Sequence, residues 1–207
     1  MSHIPMNEMT RRDFTRFCGG AFAAALIARP QTLLAAEQSS APLTLNTAQW
    51  QTVAAMCNQI LPTLDGPLLD GSGANEANCV NFIDKALAHE EEKSLAIYQR
   101  GLQIVDAFTQ ARWQKPFAVL SDGQQIQTLE MLEDGLLPDW SSVDQQTWFA
   151  TLRFHTLLGF AAAPRFGGNQ NLAGWRAMNF PGHVHEMGGL SDAQVTGAEP
   201  ITLHFPH

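Results

Sequence analysis

Five long segments of this chain carry apolar residues at the three- and four-residue spacing of a helix, and no run with strand-like alternation stands out. We predict helices over residues 47–61, 75–91, 92–112 and 142–161. A further helix begins at Ser121 and is closed by Gly135 and Pro138. This pattern predicts an all-α fold, a bundle of about five helices followed by an irregular C-terminal segment.

Local signals mark the helix ends. Thr47 is the predicted N-cap of the first helix, Pro62 ends that helix, and Ser121 with Gln124 has the spacing of a capping box. Residues 62–75 are rich in glycine and proline and are predicted to form a loop. The side chains predicted to face inward from the second and third helices are Cys79, Phe82, Ile83, Ala86, Leu87, Leu95, Tyr98, Leu102, Val105 and Phe108. One stripe of the first helix carries Trp50, Val53, Ala54, Cys57, Ile60 and Leu61, and the apolar side of the fourth consists of Ile126, Leu129, Met131 and Leu132. The fifth helix is the most hydrophobic, with Val143, Trp148, Phe149, Leu152, Phe154, Leu157, Leu158 and Phe160.

The N-terminus has the layout of a twin-arginine export signal. Arg11 and Arg12 are followed by Phe14, then by an apolar run over residues 17–27 and by the small-residue pair at 35–36. The apolar run is shorter than the roughly 20 residues that span a bilayer. We therefore expect a cleaved leader that directs an already folded protein to the periplasm.

The sequence predicts three parts in the chain. Residues 1–36 form the leader, residues 37–162 a helical bundle domain, and residues 163–207 an irregular C-terminal segment and tail. The chain has 12 basic and 20 acidic residues, of which the leader holds four and two, so the remainder carries a net charge of −10. This balance disfavours nucleic acid as a partner.

Two cysteines, Cys57 and Cys79, remain after the leader is removed. An oxidising compartment permits a disulfide between them, which the chain-entropy model values at roughly 3 kcal/mol for a loop of this length. The alternative is two separate buried thiols, because sequence spacing does not fix the distance between their Cα atoms.

The segment after the fifth helix combines glycine, proline and aromatic residues without helical spacing. Its glycines are typical of tight turns or of close approach to another surface. Its aromatic residues either anchor a partner protein or cover the end of the chain's own bundle, and both uses are compatible. The predicted partner-binding residues are Pro164, Arg165, Phe166, Gly167, Gly168, Asn169, Gly174, Trp175, Phe180, Pro181 and Gly182.

Reactive side chains show no arrangement typical of an active site. The sequence lacks a dinucleotide-binding glycine motif after a strand, and Gly167-Gly168 has no phosphate-loop lysine beside it. His155 lies among apolar residues, as a core or interface histidine does. A metal site at His183, His185 and Glu186, with His204 and His207 as further candidates, is less favoured than a solvated tail. We expect no catalytic residue, cofactor site or metal site in this chain.

Three short stretches of the C-terminal segment carry a family resemblance. These stretches are residues 159–169, Gly174-Trp175 and residues 179–182. The Ile60-Leu61-Pro62 and Phe82-Ile83-Asp84 stretches of the helical part also belong to the resemblance. Together they resemble the small third subunit of membrane-bound gluconate 2-dehydrogenase and its relatives. This chain departs from the usual pattern at Ala163, Phe166 and Asn179, where the family usually has an acidic residue, Tyr and Gly.

The resemblance implies a complex in which this chain is not the catalyst. A large flavoprotein subunit carries FAD and oxidises a sugar or sugar acid, and a multihaem cytochrome passes the electrons to quinone. The small subunit provides the twin-arginine signal for the translocase and stabilises the flavoprotein, at the periplasmic side of the inner membrane. The alternatives are an enzyme with its own cofactor and a stand-alone periplasmic ligand-binding protein.

Overall fold

A computed structural model of the chain describes residues 42–63, 65–66, 69–140, 144–178, 180 and 190–199. Over these residues the fold is all-α, as predicted. The helices are α1 (Thr47–Ile60), α2 (Cys79–Ala88), α3 (Leu95–Trp113), α4 (Asp122–Glu133), α5 (Gln145–Ala161), α6 (Ala173–Ala177) and α7 (Asp192–Val195). Single 3-10 turns lie at Glu92–Ser94, Phe117–Val119, Pro164–Phe166 and Gln170–Leu172.

The predicted loop between α1 and α2 contains one small antiparallel ladder. Strand β1 (Asp65–Gly66) pairs with β2 (Leu69–Asp70), so that Asp65 lies opposite Asp70 and Gly66 opposite Leu69. The Glu76 side chain closes the remainder of this loop by accepting hydrogen bonds from the Gly73 amide at 2.7 Å and from the Thr63 hydroxyl.

Side-chain caps set the ends of α1, α4 and α5. Asn46, not the predicted Thr47, is the N-cap of α1, and it exchanges hydrogen bonds with Gln49 at 2.9 and 3.0 Å. The Ser121 amide donates to the Gln124 side chain at 3.1 Å, which confirms the start predicted for α4. Asp144 accepts from the Thr147 amide, so α5 begins at Gln145 and not at residue 142.

Two other helices begin later than the spacing indicated. Residues 74–78 form turns that end at Asn78, whose φ of 52° is left-handed, so α2 starts at Cys79 and not at residue 75. The α3 helix starts at Leu95, since residues 92–94 form a 3-10 turn. Ala74 and Ala77 in the turns before α2 are buried like the inward side of the helix, so the apolar pattern gave no sign of the change in backbone there.

Helix α5 lies at the centre of the bundle and contacts α1, α2, α3 and α4. Most predicted inward positions are buried, including all five on α2, and Val143 lies outside the described residues. One prediction was wrong: Ile126, assigned to the apolar side of α4, is 45% exposed. On α5, the most hydrophobic helix, Leu157 is 43% exposed. The side of α4 that faces the bundle is formed by the predicted Leu129 and Leu132 together with two polar residues, Gln125 and Thr128. Within the described residues, no helix is both long and apolar enough to cross a membrane.

Candidate functional site

Residues 162–178, named here the closing segment, follow α5 and turn back over its C-terminal end. The 3-10 turn Pro164–Phe166 ends at Gly167, whose φ of 97° is left-handed, and a second turn then leads into α6. The Asn81 side chain on α2 donates to the Gly167 carbonyl at 2.7 Å, and the Gln170 amide donates to the Ala77 carbonyl at 3.1 Å. The closing segment is therefore attached to the α2 region as well as to α5.

Glycines allow this segment to lie directly on the α5 backbone. A Cβ atom at Gly168 would overlap the carbonyl oxygen of Gly159, and one at Gly174 would overlap that of Phe160. Gly159 in turn lies against α2, since a Cβ there would lie 3.2 Å from the Cys79 Cα atom. At this point the closing segment packs directly on the α5 backbone, and α5 packs closely on α2.

Asn169 holds the closing segment together from the inside. Its side chain is fully buried, its backbone amide donates to the Gly159 carbonyl at 2.7 Å, and its amide nitrogen Nδ2 donates to the Ala162 carbonyl at 2.9 Å. Its Oδ1 atom accepts from the amides of Gly174 at 2.9 Å and Trp175 at 3.3 Å. One side chain therefore joins the end of α5 to the start of α6.

The aromatic residues in and just after the closing segment differ in exposure: some contact the core of the fold and others face solvent. Trp175 donates from Nε1 to the Ala161 carbonyl at 2.7 Å, and half-buried Phe166 packs against the core. Phe180 packs against Trp175 with the rings tilted by 57° and their centroids 5.2 Å apart. Phe180 is 42% exposed and Met178 is 49% exposed. The Arg165 guanidinium lies 4.8 Å from the Phe166 ring centroid. An apolar surface edged by arginine thus forms at this end of the bundle.

The predicted partner-binding residues therefore fall into buried and exposed groups. Gly168, Asn169 and Gly174 are buried inside the chain itself, where their role is structural. Arg165 and Phe180 are exposed, and Trp175 is half-buried beside them. Pro181 and Gly182 lie outside the described residues, as do Arg11, Arg12 and Phe14 of the predicted leader. The partner surface remains a prediction.

The two cysteines are separate, buried thiols, so the structure shows the second of the two predicted alternatives. The Thr156 hydroxyl donates to the Leu152 carbonyl at 2.8 Å, and it therefore accepts from the Cys57 thiol, 3.3 Å away. Burial raises the pKa of Cys57 to about 12, and burial with the nearby Cys57 raises that of Cys79 further. Both thiols are protonated and closed to solvent in the folded domain.

This burial predicts slow reaction of Cys57 and Cys79 with thiol reagents. In a Cys18→Ser chain, which leaves only these two thiols, we expect labelling at pH 8 to be at least about 1,000-fold slower in the native protein than in urea. Mass spectrometry of the alkylated protein over time measures both rates. Native labelling as fast as that of the unfolded chain would contradict the burial described here.

His155 on α5 is also buried, and it stacks on Tyr98 with ring centroids 6.0 Å apart. The Tyr98 hydroxyl, Trp148 Nε1 and His155 Nδ1 have no hydrogen-bond partner among the described residues. Burial lowers the pKa of His155, and the charge of Glu91 partly opposes that shift. His155 is thus a neutral core residue, the more favoured of the two roles that the sequence left open.

A lowered histidine pKa has a defined effect on stability. The folded chain binds the His155 proton less readily than the unfolded chain, so its stability should be complete above pH 6.5 and fall as pH drops below that value. The slope can reach about 1.4 kcal/mol per pH unit. We expect urea unfolding between pH 7.5 and 5.5 to show this fall, His155→Gln to reduce it, and a control variant at exposed His89 to retain it. Equal slopes in all three proteins would contradict the assignment.

The part of the chain that the structure describes contains no cluster of three or more His, Cys, Asp or Glu side chains that could hold a metal ion. The candidate ligands His183, His185, Glu186, His204 and His207 lie outside it. Sequence reasoning also missed the role of Asp84, a buried carboxylate on α2 that accepts hydrogen bonds from residues 43–45. An acidic residue within the apolar face of that helix was the available signal.

The fold and site define a small helical domain closed at one end by a glycine-rich segment that bears an exposed aromatic surface. Residues 47–182, which include every helix from α1 to α6, match the family described as gluconate 2-dehydrogenase subunit 3, and the chain belongs to that family. No curated protein and no solved structure matches this chain. The family name implies partner subunits in a dehydrogenase complex.

Proposed function

We propose that this chain is the accessory small subunit of a periplasmic, FAD-dependent dehydrogenase that oxidises a sugar or sugar acid. It supplies the twin-arginine signal and stabilises the flavoprotein, and it binds no cofactor of its own. FAD belongs to the large subunit, and haem belongs to a cytochrome subunit where the complex has one. The observation that carries this proposal is the family match, which spans the bundle and the closing segment together.

The positions of the reactive side chains agree with an accessory role. Asp84 is occupied by backbone amides, the Cys57 thiol donates to Thr156, and His155 is buried in the core. None of these three groups faces solvent, so none is placed to meet a substrate. The side chains that do reach the surface near the closing segment are aromatic, apolar and cationic, which are the types enriched where proteins bind each other.

Co-export is tested by producing the flavoprotein subunit with and without this chain, and with the Arg11→Lys/Arg12→Lys variant. We expect periplasmic dehydrogenase activity and flavin content to fall at least tenfold without the chain or with the lysine pair. Arg29→Lys, a charge-preserving change elsewhere in the leader, is the control and should leave both unchanged. Undiminished periplasmic activity in every case would show that the chain is not the escort.

The partner surface is tested separately by pull-down of the flavoprotein from extracts. Phe180→Ser should reduce recovery at least tenfold, because exposed aromatic residues contribute strongly at the centre of interfaces. Val119→Ser, at a side chain that is 60% exposed in a different part of the fold, is the matched control. A purified chain that carries flavin or haem absorbance without a partner would favour an enzyme with its own cofactor.

A further inference from the structure

The closing segment has a charge opposite to that of the chain as a whole. The chain has 20 acidic residues, yet none lies between Asp144 and Glu186. That stretch includes the whole closing segment and holds Arg153, Arg165 and Arg176. The exposed aromatic surface at this end of the bundle therefore lies in a cationic stretch of an acidic chain.

Arg165 is held in place at the edge of this surface. Its side chain is exposed, and its guanidinium lies over the Phe166 ring, 4.8 Å from the ring centroid. Among the residues that the structure describes, no acidic side chain forms an ion pair with it. A guanidinium presents its N–H donors in a plane that matches a carboxylate, so a partner's Asp or Glu can bind it through two hydrogen bonds.

Lys85 on α2 brings a second cation to the same turn. A Cβ atom at Gly167 would lie 2.7 Å from the Lys85 Cδ atom, so the aliphatic part of Lys85 packs against Gly167. Lys85 is half-buried, as a lysine is when its stem is covered and its ammonium group reaches water. The adjacent carboxylate, Asp84, accepts instead from the backbone amides of residues 43–45. Lys85 thus has no ion pair in the described part of the chain either.

Two cations without an acidic partner, beside exposed apolar side chains, restrict what this surface can bind. Carboxylate groups complement both cations, and apolar side chains complement Phe180 and Met178, which are 42% and 49% exposed. The rest of the chain carries the excess of negative charge and repels an acidic protein, so such a protein is attracted at this end only. A basic protein is repelled at this end.

We propose that the closing segment binds an acidic face of the flavoprotein subunit, whose apolar residues cover Phe180 and whose carboxylates pair with Arg165 and Lys85. This inference rests on the proposed function, and it adds the charge of the partner face and one contact residue, Lys85, that lies outside the predicted set. Charges at the rim of an interface mainly speed association and fix orientation, whereas buried aromatic contacts mainly slow dissociation.

The test measures association of the purified chain with the immobilised flavoprotein subunit by surface plasmon resonance. At about 50 mM salt, Lys85→Glu/Arg165→Glu should slow association at least about tenfold, and at about 500 mM salt less than about threefold, because salt screens the charges. Arg165→Glu alone, at an exposed residue, should slow association at least about threefold at low salt. The single variant keeps the test valid if the change at Lys85 disturbs its packing on Gly167.

Arg100→Glu/Lys115→Glu is the control, because it makes the same change of net charge at exposed positions on and after α3. It should stay within about twofold of the wild type. Equal slowing by both pairs, or unchanged association of the Lys85→Glu/Arg165→Glu chain, would overturn the proposal. So would loss of binding to phosphatidylglycerol vesicles without slower association with the flavoprotein, which would assign the cations to a lipid surface. A wild-type chain that does not bind the flavoprotein at either salt concentration would instead contradict the proposed function itself.

Discussion

Replacing Gly168 with alanine is expected to lower the free energy of unfolding by at least about 3 kcal/mol. The added methyl group would overlap the carbonyl oxygen of Gly159, an atom of the α5 backbone that no rotamer change can move. Relief requires the closing segment to move away from α5, which also breaks the hydrogen bond from the Asn169 amide to Gly159. Urea unfolding followed by circular dichroism measures the loss.

Gly123→Ala is the matched control for this prediction. Gly123 lies in the first turn of α4, is exposed, and has no atom within 4 Å of the Cβ position. Its replacement should leave stability unchanged or raise it by up to about 1 kcal/mol, because alanine has the higher helix propensity. Equal effects of the two alanines would show that the closing segment does not lie on α5 as described.

Replacing Asn169 with alanine is expected to cost about 3 to 4 kcal/mol. The change leaves the Gly174 and Trp175 amides and the Ala162 carbonyl without the partner that Asn169 provides. Unsatisfied buried groups cost about 1–3 kcal/mol each, and partial access of water reduces that sum. The φ of 47° adds a smaller backbone penalty, since asparagine accepts left-handed geometry better than alanine does.

Asn171→Ala is the control that separates the loss of the Asn169 side-chain hydrogen bonds from the backbone penalty. Asn171 also has a left-handed φ, of 54°, but it is exposed. Asn171→Ala should therefore cost no more than about 1 to 2 kcal/mol, the backbone penalty alone. Thermal unfolding of the two variants, measured together, gives the difference, and equal losses would contradict the central role assigned to Asn169.

Periodic features of the sequence led directly to the bundle, because helical spacing records which face is buried. The five inward residues of α2 and the capping residues of α4 are examples. Boundaries were less accurate where a turn precedes a helix, as before α2, where the turns also bury apolar residues, and before α3. Ile126 was misplaced because α4 turns polar residues, Gln125 and Thr128, toward the bundle, and polarity alone does not reveal that choice.

The closing segment was recognisable from sequence, but its geometry was not. Glycine is compatible with a turn, with close packing inside the chain and with contact to a partner, and only the neighbours in space distinguish these uses. At Gly168 and Gly174 the neighbour is the α5 backbone. For the same reason Cys57 and Cys79 remained undecided between a bridge and two thiols until their surroundings were known.

The reduced state of those two cysteines has a consequence for the conditions in which the protein folds. Because the described domain contains no covalent cross-link between them, its folding free energy depends on packing and hydrogen bonds that a change of redox potential does not alter. Such a domain is expected to fold to the same structure in a reducing and in an oxidising compartment. For the export route proposed above, which carries folded proteins, the described domain would have no disulfide between Cys57 and Cys79 to form after transport.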